Sequence, residues 1–351
     1  MHLADLGFDA WFAEAFEPHS RDGVIPARVA ARHHGPCELL TARGRLGGLP
    51  EGRLTEDELP VAGDWVVARP LPGERKAMIE AVLPRKSAFT RKEPWRRTVE
   101  QVVAANVDVA FLVTAFGRDL SPRRTERYLV AARESGAHAA IVANKVDLSS
   151  DSVAELEAVE AVAGGVPVLS VSAHTGQGLD RLRAYLEPGR TVALLGSSGV
   201  GKSTLANRLV GRNLLKVAPV SRGGRGRHTT VIRELVPVPG GGLLLDTPGL
   251  RELQLWAGEG SVDETFADIA ELAAHCRFSD CTHEHEPGCA VSRALSLGTL
   301  SQERLASFRK LQRELCALAL RQSRRSVRRP RGRAQTRSRR WPERGRRRRS
   351  T

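Results

Sequence analysis

A nine-residue stretch, GSSGVGKST at Gly196 to Thr204, restricts the fold of this 351-residue chain more than any other feature. It matches the pattern G-x-x-x-x-G-K-[ST] of a phosphate-binding loop, in which backbone amides and a helix N-terminus surround the phosphates of a nucleotide. The apolar run TVALL precedes it and a helical pattern comes after it. We therefore predict a doubly wound α/β domain whose motifs lie at the carboxyl ends of parallel strands.

Two more motifs come after predicted strands, in an unusual order. DTPG at Asp246 to Gly249 comes after the phosphate loop, and no N-K-x-D motif, the usual guanine reader, lies downstream of it. Instead, NKVD at Asn144 to Asp147 and the pair Ser172-Ala173 lie upstream. This order is a circular permutation of the order in a GTPase. The permutation leaves the site intact, because the motifs meet at one sheet edge whichever loop is cut.

The phosphate loop and two later positions are predicted to bind phosphates and Mg²⁺. Lys202 should reach the β- and γ-phosphates, and the Ser203 hydroxyl should coordinate Mg²⁺. Asp246 should lie on the metal side, with the Gly249 N–H near the γ-phosphate. The loop residues predicted to contact nucleotide are Gly196, Ser197, Ser198, Gly199, Val200, Gly201, Lys202, Ser203 and Thr204.

The upstream motifs are predicted to read guanine. Asp147 should accept hydrogen bonds from N1–H and the exocyclic amine of guanine. Adenine would leave this carboxylate unpaired, so the site should favour guanine over adenine by roughly 10⁴-fold or more. We expect Asn144 to brace the pocket, the Lys145 stem to cover the base, and the Ala173 N–H, next to Ser172, to meet guanine O6.

One catalytic group is missing from its usual place. Leu250 comes directly after Gly249, where many GTPases carry a glutamine that orients the attacking water. Leucine cannot orient water, so the group must come from elsewhere in the chain or from a partner. The nearest candidate is His228, in the loop SRGGRGRHTT; the alternative is that this histidine contacts RNA or solvent.

A cysteine and histidine cluster near the C-terminus predicts a metal site. Its spacing is C-x₄-C-x-H-x₅-C. Three thiolates and one imidazole form a closed tetrahedral set that suits a structural Zn²⁺ ion in a reducing compartment. Spacing alone leaves the histidine open, so the candidate ligands are Cys276, Cys281, Cys289 and one of His275, His283 and His285.

The chain divides into segments of different pattern. Residues 1–19 predict a helical extension, and residues 20–92 contain short strand-like runs that predict a small β-barrel, of OB-fold or SH3-like type. Residues 98–256 form the α/β pattern and residues 262–320 a mostly helical one. No apolar run approaches 18 residues and the N-terminus has no signal-peptide pattern, so we expect a cytoplasmic protein without a membrane span.

The excess positive charge lies in the C-terminal tail. Residues 321–351 hold 15 arginines and one acid, whereas the other 320 residues carry 39 basic and 39 acidic side chains. With almost no apolar residues, this tail predicts a disordered segment. It is either an electrostatic arm for RNA or a solubilising or genome-biased extension without a specific partner.

The chain resembles the bacterial ribosome small-subunit-dependent GTPases (RsgA, also called YjeQ). The resemblance rests on the permuted motif order, on GRHTT at 226–230 and on CRFSDCTHEHEPGCAV at 276–291. The resemblance covers roughly residues 20–320. It implies an N-terminal OB-fold, a circularly permuted GTPase domain and a C-terminal helical zinc-binding domain. Within the motifs it implies His283 as the fourth zinc ligand, Thr230 rather than its neighbour Thr229 as a Mg²⁺ ligand, and His228 as the catalytic group.

The resemblance also implies a function. It predicts a monomeric Mg²⁺-dependent GTPase that binds GTP and GDP and acts as a late-assembly checkpoint on the small (30S) ribosomal subunit. The subunit should stimulate hydrolysis, and the barrel and zinc domains should bind its rRNA. Two alternatives remain: a permuted GTPase of the large subunit, and an RNA-binding module in which the nucleotide is a structural ligand.

Overall fold

The computed structural model describes residues 1–32, 36–55, 58–92, 100–211, 234–246 and 259–326. Five strands near the N-terminus close into a barrel in the order β1-β2-β3-β5-β4, with β4 pairing back to β1. This closed barrel fits an OB-fold. Its strands are β1 (Ile25–Arg32), β2 (Cys37–Thr41), β3 (Gly44–Pro50), β4 (Trp65–Pro70) and β5 (Lys76–Val82).

The sequence of strand β3, GRLGGLP, is typical of a loop and does not by itself predict a strand. Packing in the barrel interior explains one of its glycines, Gly48. A Cβ atom at Gly48 would lie 2.9 Å from side-chain atoms of both Leu39 and Ile79. The position therefore needs glycine so that two large apolar side chains can fill the barrel.

The N-terminal extension covers one end of the barrel. Helix α1 (Ala10–Phe16) begins at Asp9, whose carboxylate accepts a hydrogen bond from the Phe12 N–H at 3.2 Å. The ring centroid of Phe8 lies 4.8 Å from that of the buried Trp65. After the barrel, an antiparallel ribbon of β6 (Ala88–Lys92) and β7 (Glu100–Ala105) leads into the central domain.

The central domain is a six-stranded sheet in the order β10-β9-β8-β11-β13-β12, parallel except for the antiparallel edge strand β12. This confirms the doubly wound α/β fold. The strands are β8 (Val109–Ala115), β9 (His138–Asn144), β10 (Val168–Ser170), β11 (Thr191–Leu195), β12 (Glu234–Pro237) and β13 (Leu243–Asp246). The helices are α2 (Pro122–Ser135), α3 (Ser152–Ala163), α4 (Leu179–Arg183) and α5 (Lys202–Val210).

The C-terminal segment is helical: α6 (Glu259–Thr265), α7 (Ala267–Ala273), α8 (Ala290–Ser296) and α9 (Gln302–Ser326). Helices α6 and α7 are separated at Phe266, whose fully buried ring packs under the Arg304 guanidinium, with 4.3 Å between the guanidinium carbon and the ring centroid. Helix α9 continues past residue 320, where the tail was predicted to begin, because Arg and Gln are good helix formers. Residues 327–351 lie outside the described residues.

The helical core includes Val130 of α2, so the C-terminal helices pack directly against the central domain. None of the helices in the described part of the chain is long and apolar enough to cross a membrane.

A buried arginine joins the first three segments of the chain. The Arg28 guanidinium donates to the carbonyl of Leu6 in the extension, to that of Gly63 in the barrel at 3.3 Å, and to that of Asn106 before β8 at 2.9 Å. Burial lowers the pKa of Arg28 to about 10, against the attraction of the Asp108 and Asp64 carboxylates. The side chain therefore stays charged at neutral pH and fixes the barrel against the sheet.

We predict that Arg28→Met loosens this junction. The apolar replacement leaves the Leu6 and Asn106 carbonyls without their donor, and each buried unpaired group costs about 1–3 kcal/mol. The Gly63 carbonyl keeps a second donor, the Asn106 side-chain amide at 3.1 Å. Hydrogen exchange measured by mass spectrometry should become faster at Leu6, Gly63 and Asn106. Arg32→Met, at the half-buried end of the same strand, is the matched control. Equal exchange in the two variants would contradict the role of Arg28.

Candidate nucleotide and metal sites

The phosphate-loop pattern forms the turn between β11 and α5. Two of its glycines are needed because neighbouring atoms come too close for a side chain. A Cβ atom at Gly196 would lie 2.4 Å from the Val113 carbonyl oxygen of β8, and one at Gly201 would lie 2.3 Å from Asn144 Nδ2. Helix α5 begins at Lys202, so the amides of its first turn open toward the loop.

The lysine of the loop is buried and lies across it. Lys202 Nζ donates to the carbonyl of Gly196 at 2.7 Å and to that of Ser197 at 2.5 Å. The hydroxyl of Ser197 contacts a second cation, because Arg124 Nη1 of α2 lies 3.0 Å from Ser197 Oγ. The sequence did not predict Arg124 here, since its position depends on how α2 packs on strands β8 and β9.

One buried amide connects three of the predicted motifs. Asn144, at the end of β9, accepts the Ala173 N–H at its Oδ1 atom over 2.9 Å and donates from Nδ2 to the Val200 carbonyl over 2.8 Å. The side chain is 1% exposed. The N–H predicted to meet guanine O6 is therefore engaged by Asn144, and a contact with O6 would have to be shared.

The remaining base-side residues range from fully buried to exposed. Lys145 has a left-handed backbone (φ 66°), and its ammonium lies 3.6 Å from the Asp119 carboxylate. Asp147 lies in the next 3₁₀ turn with its side chain exposed. Ser172 is fully buried, and its hydroxyl accepts the Thr175 N–H at 3.1 Å.

Arg208, which the sequence did not single out, fixes the Ser172-Ala173 loop from α5. Its Nε donates to the Ala173 carbonyl at 3.0 Å and its Nη2 to the His174 carbonyl at 2.5 Å. The same helix thus carries the phosphate-loop lysine at its start and the anchor of the base-side loop near its end.

The structure brings most of the predicted nucleotide residues to one sheet edge, at the ends of strands β9, β11 and β13. Asp246 ends β13, and its side chain is buried. Ser203 and Thr204 occupy the first turn of α5. The other predicted residues of this site, His228, Thr229, Thr230, Gly249 and Leu250, lie outside the described residues, so their roles stay predictions.

The cysteine and histidine cluster comes together as a compact set of ligand atoms. Those of Cys276, Cys281, His283 and Cys289 all lie within 4.8 Å of one another. Cys276 Sγ and Cys289 Sγ are 3.9 Å apart, and His283 Nδ1 is 3.6 Å from each of them. A tetrahedral zinc with Zn–S of about 2.3 Å and Zn–N of about 2.0 Å gives an S···S edge of about 3.8 Å and an S···N edge of about 3.5 Å. The four residues could therefore hold one metal ion.

Electrostatics around the cluster favour a thiolate at Cys289. Burial raises its pKa, but hydrogen bonds from Ser292 and the contact with His283 outweigh burial and lower the pKa to about 6. Burial and the neighbouring cysteines raise the pKa of Cys281 to about 11. A bound dication would supply the charge that a second and third thiolate need.

The loop between the last two cysteines has its own support, which the sequence did not reveal. The Glu286 carboxylate accepts hydrogen bonds from the Thr282 hydroxyl and N–H and from the N–H groups of Glu284 and His285, at distances of 2.5–3.1 Å. This arrangement holds His283 in its left-handed conformation (φ 63°) beside the cysteines.

Comparisons with known proteins all indicate the same family for this chain. Residues 82–256 match the model of the RsgA GTPase family. The chain is 50% identical over 329 residues to the small ribosomal subunit biogenesis GTPase RsgA of Opitutus terrae, covering 90% of each chain. It is 45% identical over 318 residues to the protein of the same name from Streptomyces coelicolor, covering 89% of this chain and 86% of that one.

Two solved structures are also similar to this chain. YjeQ from Thermotoga maritima is 27% identical, with a TM-score of 0.64 over 84% of this chain and 99% of the other. YloQ, described as a circularly permuted GTPase, shares the fold with a TM-score of 0.60 at 22% identity, over 90% of this chain and 99% of the other.

We predict that the purified protein carries about one equivalent of tightly bound divalent metal, which Cys289→Ser releases. Removal of one of four ligands opens the tetrahedral set, and the α6–α9 core, which contains Cys289, should loosen. Elemental analysis measures the metal and circular dichroism the helices. Cys316→Ser, at an exposed cysteine outside the cluster, is the control. Metal-free wild-type protein with unchanged helices would contradict the site.

Proposed function

Because the chain belongs to the RsgA GTPase family, we propose that this GTP-hydrolysing enzyme acts in the assembly of the small ribosomal subunit. The observation that carries the proposal is the meeting of NKVD, Ser172-Ala173 and the phosphate loop on Asn144, in permuted chain order. A site that combines a phosphate loop with a guanine-reading carboxylate suits GTP. The relatives' names supply the biological partner.

In this proposal, the loop amides and the first turn of α5 bind the triphosphate, and Lys202 moves from the loop carbonyls to the β- and γ-phosphates. Mg²⁺ is held by the Ser203 hydroxyl and by Thr230, with Asp246 on the metal side. The metal neutralises charge on the phosphates when it is bound. His228 is the group proposed to position the attacking water.

The base side of the pocket gives guanine specificity. The Asp147 side chain is exposed, and its carboxylate can pair with N1–H and the exocyclic amine of guanine. The Lys145 stem covers the base, and Asn144 holds the pocket together. The Cys276, Cys281, His283 and Cys289 cluster binds one structural Zn²⁺, because four protein ligands leave no position open for a substrate.

The finer biological proposal is a late-assembly checkpoint. The barrel and the zinc-bearing domain bind rRNA of the small subunit, the subunit stimulates hydrolysis, and the change from GTP to GDP drives release. The protein acts as a cytoplasmic monomer. The Arg28 junction and the packing of the C-terminal helices on α2 connect both candidate RNA-binding domains to the nucleotide domain.

The experiment is multiple-turnover phosphate release with mature small subunits, large subunits and naked RNA in parallel. We expect small subunits to raise turnover at least about tenfold, a modest value beside the effect that a partner has on GTPases with an incomplete site. Lys202→Ala should lose activity in every arm. Stimulation by large subunits alone would favour a GTPase that acts on the large subunit. No turnover in any arm would favour an RNA-binding module in which the nucleotide is a structural ligand.

A separate prediction tests the base reader. Asp147→Asn replaces an acceptor pair by an amide that can donate to the carbonyl of xanthine. GTP affinity should fall at least about 100-fold, and preference should shift toward xanthosine triphosphate. Asp151→Asn, an exposed helix-cap carboxylate nearby, is the matched control for loss of charge. Unchanged GTP affinity in Asp147→Asn would remove that residue from the pocket.

A further inference from the structure

Helix α2 carries an arginine to the edge of the phosphate loop. Arg124 Nη1 lies 3.0 Å from Ser197 Oγ, while Lys202 Nζ bonds to the carbonyl oxygen of the same serine. The two cations therefore hold two oxygens of one residue. The reach of a single residue places them on the order of 10 Å apart or less. Lys202 is the group proposed to bind the β- and γ-phosphates, so Arg124 lies at the phosphate end of the site.

Arg124 also has unused hydrogen-bonding capacity. A guanidinium has five N–H donors, and in the described part of the chain Arg124 uses one, toward a neutral hydroxyl. Its side chain is exposed and not paired with a carboxylate among the described residues. A long, charged and exposed side chain can move several ångströms from this resting contact toward a more negative partner.

The sequence shows why such a cation would matter. Leu250 stands where many GTPases have a water-orienting glutamine, so the site lacks one of its usual contributions. In phosphoryl transfer, negative charge spreads over the γ-phosphate oxygens and the leaving oxygen, and a guanidinium supplied in cis or in trans stabilises it. Arg124 would supply that charge from within the chain.

We propose that Arg124 leaves Ser197 and contacts the terminal phosphate of bound GTP, as a second cation beside Lys202. The assignment rests on the GTP hydrolysis proposed above. GDP lacks the terminal phosphate, so Arg124 discriminates between the two nucleotides, with Ser197 as its resting partner in the GDP state.

The C-terminal helices hold α2 next to this arginine. Two residues further along, the buried Glu126 accepts hydrogen bonds from Arg304 at 2.7 Å and from the Ser307 hydroxyl. Arg127 pairs with Glu314 at 2.6 Å. All three partners lie on α9. Contacts with α9 therefore add to the packing on β8, β9 and α3 that positions α2, and Arg124 with it, beside the phosphate loop.

The test compares Arg124→Ala and Arg124→Lys with the control Arg123→Ala. Arg123 is a neighbouring exposed arginine whose side chain makes no hydrogen bond or ion pair among the described residues. Affinities for GDP and for a non-hydrolysable GTP analogue are measured by fluorescence titration, and turnover by phosphate release. We expect Arg124→Ala to lower analogue affinity at least about fivefold relative to GDP and turnover at least about tenfold. Arg124→Lys should restore part of both, since it keeps the charge without the planar fork.

Two outcomes would overturn the proposal. In one, Arg124→Ala matches Arg123→Ala in both affinity ratio and turnover. In the other, GDP and analogue affinities fall equally, which would make Arg124 a support of the loop. If wild-type protein fails to hydrolyse GTP, the proposed function fails, whereas the analogue-to-GDP affinity ratio still decides the role of Arg124.

Discussion

The nucleotide site depends on one buried amide. Asn144 ends β9, and its two polar atoms connect the Ser172-Ala173 loop and the phosphate loop across the sheet edge. An asparagine is suited to this position because it offers one acceptor and one donor in a fixed plane, and both are used. Gly201 leaves room for this amide, since a Cβ atom there would lie 2.3 Å from Asn144 Nδ2. Asp147 follows three residues later, in the 3₁₀ turn after β9.

Circular permutation is compatible with this geometry, because cohesion at the site comes from contacts across strands and not from chain order. Parallel strands β9, β11 and β13 bring their loops to one edge whichever loop carries the chain termini. The permutation does alter the connection after the last site strand. Beyond β13 the chain passes to the C-terminal helices, so the domain with the metal cluster is the next part of the chain that the structure describes after Asp246.

The sequence predicted elements whose causes are local, and missed those whose causes are distant. Helix α2 was predictable because Pro122 begins it and Gly136, left-handed at φ 81°, ends it. The cluster ligands were predictable from spacing, although the choice of His283 over its neighbours needed family resemblance or the fold. Strand β3 was not predictable because its sequence is typical of a loop, and the need for Gly48 comes from Leu39 and Ile79 of other strands. Three arginines were not predicted because their partners lie 22 or more residues away in the sequence, and no sequence periodicity indicates such contacts: Arg28, Arg124 and Arg208.

The Glu126–Arg304 contact shows how the two domains are oriented. Both side chains are nearly buried, at 2% and 10% exposure, and desolvation of such a pair offsets much of its attraction, so it adds little net stability. It does penalise other arrangements, because a shift of α9 along α2 would leave a buried carboxylate without its donors. A partner that binds the C-terminal helices more tightly in one arrangement of α2 would therefore alter the nucleotide site, and bound nucleotide would change the affinity for that partner by the same factor. The apolar contact through Val130 holds the C-terminal helices against α2. The ion pair fixes where α9 lies along α2, so that one arrangement of the two helices is favoured over others.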